Sequence, residues 1–453
     1  MSDPFRIVIV GAGPAGLSAA LAIARHPAAA ASRPVHITVL ELRRGVHTIG
    51  GAVNMTPLAL RYLDSLGAGA RLRARGHAGS AIELVAHRTG RLLATLWPGV
   101  DALRVRRQAV VETLTEAAAA LRDASENPET LRILYGAEVL SLEEHEGGVR
   151  VAFTHGKDGA PFSSSAPNVT IDAELVLGCD GIHSFVRRRF VEPGRPETYT
   201  GRCVAYGFIP ASPSDAVRWT RSGGGAEPLV NHSTLLQHGA ESLLLARHQP
   251  PDQQDSLYLA AVMSVRADTE SSSSREGWAV QGADKEGLRR RMQDMFAGGG
   301  IGCLEEMVAR CDDWFFYPVH MLPEGGLWSK GRLLLLGDAA HAVSSPCSSK
   351  PQSCMPPQEE STGVAIEDGV LLAHVLSRRD GRSVPRMIAD YEALRRADVA
   401  ALHKTSMARW KSPAPAGWVG RIMMEWMAWL VVSYLNWTSD HFARDVRNLP
   451  LPE

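Results

Sequence analysis

"GAGPAG" sets three glycines, Gly11, Gly13 and Gly16, in G-x-G-x-x-G spacing directly behind the apolar run "RIVIV". In that spacing the first glycine makes a tight turn and the second lets backbone approach a pyrophosphate. The third allows a helix to pack closely on its strand. The helix that follows offers free N–H groups and the positive end of its dipole to an anion. Glu41 closes the next apolar run, "VHITVL", where a carboxylate accepts hydrogen bonds from a ribose diol. These residues point to a dinucleotide site and leave NAD and FAD both open.

Two later stretches carry further candidates. "GCDGIHSFVRR" places Asp180 and Gly181 at a strand-to-helix turn, and "GRLLLLGDAAHA" places Asp338 at another. An aspartate there either caps its helix or binds a polyol hydroxyl. Taken alone, each stretch reads as an ordinary turn.

The elements that must hold these residues follow from the apolar pattern. Strand (Arg6–Val10), glycine turn, helix and strand (Val35–Leu40) make a βαβ unit, which favours a parallel sheet. Residues 57–70 read as helix, and residues 101–124 as a long helical stretch after a short strand. "RILYGAEVLSLEEHEGGVRVAF" alternates like hairpin strands, and residues 173–190 return to strand, turn and helix. Beyond Thr198, runs such as "CVAYGFIP" and "SLYLAAVMSV" suggest antiparallel strands. The expected fold is α/β, with a Rossmann-like lobe on a parallel sheet, an antiparallel-sheet lobe and C-terminal helices. The boundaries expected are 1–197 for the first lobe, 198–324 for the second, 325–405 for a segment completing the first, and 406–453 for a helical tail.

Composition narrows the function. A formal net charge of −1 over 453 residues argues against nucleic acid as a partner. Six scattered cysteines lack metal-site or C-x-x-C spacing, so no metal is expected and a reducing, cytoplasmic setting fits. The start lacks signal-peptide character, and no apolar stretch reaches membrane-spanning length. The Trp- and Met-rich tail "WVGRIMMEWMAWLVVSYLNWTSDHF" reads first as a helix packing on its own chain. A homodimer contact and a peripheral membrane contact are the alternatives.

In order, "GAGPAG", "CDGIHSFVRR" and "GRLLLLGDAAHA" resemble the three signatures of the FAD-dependent aromatic hydroxylases, single-component flavoprotein monooxygenases. "ELRRGVHTIGGAVNMTPLALRYLDSLG" and "VRRQAVVETL" agree, and the flavour is closest to a fungal salicylate-hydroxylase-like branch. The resemblance implies FAD as cofactor, NAD(P)H as a transient co-substrate and O2 as oxidant. An aromatic or polyketide-derived substrate is hydroxylated through a flavin C4a-hydroperoxide, often in secondary metabolism. It places Gly11, Gly13 and Gly16 at the FAD pyrophosphate, Glu41 at the adenosine ribose, and Ala52 along the cofactor. Arg107 reaches the FAD from its helix, Asp338 holds the ribityl chain, and Asp180 with Gly181 serves FAD and the nicotinamide. Gly363 falls on the loop before a helix whose N-terminus faces the flavin ring. His183 and His341 read as positional, Tyr206 and Tyr317 as strand core with the active site as alternative, and no catalytic residue is transferred.

One stretch departs from that pattern. Removing Val343–Cys354 joins "GDAAHA" to "MPPQEESTGVAIEDG" and restores the family spacing. The run reads as a retained intron, or else as a genuine loop, lying where the flavin ring belongs; Glu359 and Glu360 would add negative charge there. Two alternatives to a monooxygenase stay open: a flavin protein without turnover, and a flavin oxidase or reductase of the same fold.

Overall fold

A computed structural model describes residues 3–453 apart from 28–32, 49, 80, 126, 157–168, 222–226, 239–240, 266–281, 283, 343–360, 411–416 and 439–441. Its centre is a six-stranded sheet in the order Ser329–Lys330, Leu333–Leu335, Leu175–Gly178, Phe5–Val10, Val35–Glu41, Leu131–Tyr135. Every pairing in it is parallel except that of the short edge strand Ser329–Lys330. The late strand Leu333–Leu335 pairs with Leu175–Gly178 in this sheet. These strands are apolar on both faces because both are covered. The helices Pro14–Arg25 and Arg107–Ala124 pack on the sheet, and so do the antiparallel strands Ala137–His145 and Gly148–His155, whose Val139, Leu142, Val149, Val151 and Phe153 share its core. The helix Pro14–Arg25 is buried from Pro14 to Ile23, sandwiched between this sheet and the helix Ser361–Leu376.

A seven-stranded sheet forms the second lobe, in the order Phe315–Met321, Thr198–Pro210, Ser256–Ser264, Glu241–Ala246, Ser233–His238, Ile82–Ala86, Leu92–Leu96. Its last two strands come from the N-terminal part of the chain, and Ser233–His238 meets Ile82–Ala86 in parallel. The second lobe therefore draws on residues well before 198. Leu235, Leu236 and Val85 are buried in this sheet, and that burial fixes a pairing no local signal announces.

Three local readings change. Leu131–Tyr135 joins the parallel sheet, leaving Ala137–His145 and Gly148–His155 as the hairpin. Residues 102–106 form a strand, paired on both sides, and the helix begins only at Arg107. Pairing on both sides, with Leu103, Arg104 and Val105 all buried, favours that strand over a helical start. Gly363 lies inside the helix Ser361–Leu376 and not on a loop, because Thr362, Ala365, Ile366 and Gly369 bury at helical spacing. No helix among the described residues is long and apolar enough to cross a membrane.

Candidate active site

The carboxyl ends of the parallel strands open into a cavity of about 600 Å³. Such crevices are where ligands bind in open α/β sheets. Gly11, Gly13, Glu41, Arg107, Asp180, Gly181 and Asp338 all line it.

The three glycines differ in physical role. Gly11 turns at φ +104°, and a Cβ there would lie 2.5 Å from the Cys179 carbonyl oxygen. Gly16 packs the helix on its own turn, since an added Cβ would sit 2.0 Å from the Gly11 oxygen. Beside Gly13 nothing lies within 4 Å, so its backbone faces open space. Glu41 braces this turn, its Oε2 accepting from the Ala12 N–H at 2.8 Å and its Oε1 from the Arg43 N–H at 2.9 Å. A carboxylate has about four acceptor positions, so a diol can still be held.

Asp180 supplies the sharpest test of what fits. Its Oδ2 accepts from the Phe185 and Val186 N–H groups at 2.7 and 3.1 Å. Its Oδ1 is buried with no hydrogen-bond partner. Burial raises this carboxyl above the usual aspartate range, against the hydrogen bonds of Ser184, Val186 and Phe185. A buried acceptor without a donor is costly, and a ligand hydroxyl in the cavity would relieve it. Gly181, at φ +79°, leaves open space beside it. Arg107 donates its backbone N–H to the Gly51 carbonyl at 2.9 Å, while its side chain packs under Gly50. Its Nε is likewise buried without a partner.

Ala52 and Gly363 lie off the cavity wall. Ala52 is buried within the strand Ala52–Met55, and a Cβ on Gly363 would meet that of Ala59 at 3.4 Å. The neighbours of Gly363 reach further, for Ser361 and Thr362 line the cavity with the first turn of their helix. The run Val343–Cys354, with Glu359 and Glu360, lies outside the described residues.

A buried ionic cluster joins the two stretches that flank that run. Asp368, fully buried, accepts from the Gly337 N–H at 2.8 Å and from Arg395 Nε at 2.7 Å, and its Oδ2 lies 2.7 Å from His341 Nε2. Arg395 also bonds Glu367 at 2.6 Å and the Val364 carbonyl at 3.1 Å. Burial alone would raise the Asp368 carboxyl, but His341 and Arg395 outweigh it and hold it at about 2. The positional reading of His341 fits this contact. Sequence reasoning missed Asp368, Glu367 and Arg395. The available signal was a pair of acids inside the otherwise apolar "GVAIEDGVLLAHVL", which burial obliges to find a cation.

An aromatic wall adjoins the Gly50–Gly51 turn. A Cβ on Gly51 would lie 2.5 Å from the Tyr258 hydroxyl, and Tyr258 lies 6.2 Å from Tyr206. Tyr206 is buried and stacks on Phe315 at 5.2 Å, with Tyr317 6.0 Å away. Phe315 and Tyr317 stay exposed, against the core reading of Tyr317. His183 is mostly exposed at the cavity rim and bonds Glu197 at 2.6 Å.

Known proteins share this architecture. Residues 5–214 match the family model described as an FAD binding domain. Over 410 residues the chain is 26% identical to salicylate hydroxylase of Pseudomonas putida, covering 86% of this chain and 82% of that one. It is 26% identical over 400 residues to 3-hydroxybenzoate 6-hydroxylase of Polaromonas naphthalenivorans (strain CJ2), covering 87% and 84%. HpxO of Klebsiella pneumoniae, solved with FAD and uric acid, superposes with a TM-score of 0.65 at 19% identity, over 93% of this chain and 92% of that one. That last likeness establishes the fold. With an FAD binding domain over residues 5–214 and a cavity whose orphaned acceptor suits it, the chain is a flavoprotein similar to the FAD-dependent aromatic hydroxylases.

Proposed function

We propose that the protein is an FAD-dependent monooxygenase that uses NAD(P)H and O2 to hydroxylate an aromatic or polyketide-derived substrate. The observation that carries this reading is the aromatic group of Tyr206, Tyr258, Phe315 and Tyr317 set against the Gly50–Gly51 turn, on which Arg107 of the dinucleotide cavity packs. The chemistry that bound FAD supplies is acceptance of hydride and activation of O2 for transfer of one oxygen to a ring.

The chain's own residues hold and shield. Gly11, Gly13 and Gly16 would take the pyrophosphate, with Glu41 on the ribose. Asp180 Oδ1 and Asp338 would receive ribityl hydroxyls, and Arg107 would sit over the cofactor's phosphate side. The first turn of the helix Ser361–Leu376 directs N–H groups and a positive dipole end at the cavity, which favours negative charge there. The aromatic wall stacks a planar substrate and keeps water from it. One glycine motif serves one dinucleotide, so NAD(P)H would visit the groove near Gly181 and leave. The motif flavour adds a place in secondary metabolism and a fungal branch to this reading; both relatives above are bacterial and lend the branch no support.

The test is direct. The full chain is purified, scanned for bound flavin, and assayed for NADH and NADPH oxidation and O2 uptake with a panel of phenols and aromatic acids. The proposal expects a yellow protein, substrate-stimulated oxidation with O2 consumption, and a product heavier by one oxygen atom. Flavin without any stimulated turnover would refute it, and turnover without O2 uptake would indicate a reductase.

A further inference from the structure

The helix Gly417–Trp437 carries an apolar face that nothing described in the chain covers. Its opposite face is docked: Ala428 and Val432 are buried against the seven-stranded sheet. Asn436 clamps the sheet's edge, donating to the Thr95 carbonyl and accepting from the Trp97 N–H, both at 2.9 Å. That contact fixes the helix flat on the second lobe and covers an edge strand. The outer face carries Met423, Trp426, Leu430, Tyr434 and Trp437, from 52% to 81% exposed, with Trp429 beside them.

Three features of this face select its occupant. Its size comes first. Weighted by those exposures, the six side chains leave roughly 700 Å² of apolar surface open, more than a typical monomer's largest patch. That is close to the roughly 800 Å² that one partner contributes to a standard interface. The second is the spacing. Met423, Trp426, Leu430, Tyr434 and Trp437 follow one another at intervals of 3, 4, 4 and 3 residues, a sequence that reads the same from either end. A stripe with that symmetry is complementary to itself when a second helix runs antiparallel across it. Met423 then meets Trp437, Trp426 meets Tyr434, and Leu430 meets Leu430 on the axis. Self-complementarity under a two-fold is what an isologous dimer interface requires. The third is charge. The one described ionic side chain on the helix, Glu425, is turned aside toward Arg88, so the stripe brings no like charges together.

The geometry points to a second copy of this chain as the occupant, paired antiparallel along the helix Gly417–Trp437 about a two-fold axis through Leu430. The dimer would stand on the rigid second lobe of each copy and leave both FAD cavities free. It does not depend on the reaction proposed above.

Sedimentation of the purified full chain tests the pairing, with two single-site variants at exposed positions. Wild type should sediment as two copies at micromolar concentration. Leu430→Arg brings two like charges together on the axis, and should weaken association about 100-fold or more. Leu327→Arg, equally exposed on the other lobe, should leave it unchanged. Cysteines read the orientation against a wild-type control: Leu430→Cys should cross-link with itself under oxidation. Met423→Cys should not, but should cross-link when mixed with Trp437→Cys. Bound flavin and the thermal melt confirm that each variant is folded. A wild-type chain that sediments singly overturns the proposal, as does a dimer that survives Leu430→Arg or one in which Met423→Cys links to itself. Single chains that float with phosphatidylcholine vesicles would assign the stripe to a lipid surface instead.

Discussion

Replacing Asp368 by Asn removes the negative charge at the centre of the cluster that joins Gly337 to the helix Ser361–Leu376. In the wild type that carboxylate accepts from Gly337, Arg395 and the His341 ring within 2.7–2.8 Å and is fully buried. The amide keeps one acceptor and turns N–H donors toward groups that are themselves donors. Breaking a buried ion pair typically costs about 3–5 kcal/mol, because a charge is left behind. Here Arg395 retains Glu367 and the Val364 carbonyl, so the low end, about 3 kcal/mol, is expected. For a chain of this length that is a fall in melting temperature of about 3 °C. The pH dependence gives an independent measure. Because the folded-state pKa of Asp368 is depressed to about 2, its stabilisation is complete above the unfolded value and is lost as pH falls toward 2. The shift corresponds to about 2 kcal/mol. Denaturant melts of wild type and Asp368→Asn should therefore differ at pH 7 and converge as pH falls from about 4 toward 2. A gap under about 1 kcal/mol at pH 7, or one that persists unchanged to pH 2.5, would refute the reasoning.

Further outcomes can be checked on the same preparation. Gly16→Ala forces a Cβ to 2.0 Å from the Gly11 oxygen and should abolish FAD retention together with native stability, whereas Gly13→Ala should melt like wild type. Its FAD affinity should still fall, by about 10-fold or more, because the methyl stands where the pyrophosphate must approach; a fluorescence titration decides. Asp180→Ala deletes both the cap on Phe185 and Val186 and the free acceptor, and should weaken FAD by about 10- to 100-fold in the same titration. Deleting residues 343–354 should leave the fold intact, since the Asp368 cluster joins the stretches on either side of the deletion. Comparing flavin content and NAD(P)H oxidation with the full chain then shows whether that run obstructs the cavity. Activity in the shortened form alone identifies it as an intron, and equal activity makes it a tolerated loop.

Legibility in the sequence followed the range of the interactions. The glycine triplet was readable because all three of its constraints act within a few residues of Gly11, through a turn, an open approach and a helix contact. Glu41 was readable for a related reason: the strand it ends is adjacent to the one that starts the motif, so its carboxylate reaches Ala12. Residues 102–106 show where local reading failed, because the strand owes its existence to two partners distant in the chain, Ala52–Met55 and His77–Gly79. The pairing of Ser233–His238 with Ile82–Ala86 is of the same kind.

The Asp368 cluster lies between these cases, and it bears on the interruption between the "GDAAH" and "IEDG" stretches. Judged by spacing, the twelve extra residues Val343–Cys354 separate two halves of one signature and threaten the site between them. Judged by energetics, the halves are held by contacts that do not pass through those residues. Gly337 and His341 on one side meet Asp368 on the other, with Arg395 closing the cluster from a third helix. The entropy of closing a loop rises only with the logarithm of its length, so lengthening this connection by twelve residues costs about 1 kcal/mol. Breaking the buried cluster would cost about 3–5 kcal/mol, more than that, which is enough to keep Asp338 and the first turn of the helix Ser361–Leu376 facing the same cavity. The stretch that most disturbs the signature as text is therefore the one the fold can absorb, and the effect of Val343–Cys354 on function reduces to steric access to the cavity.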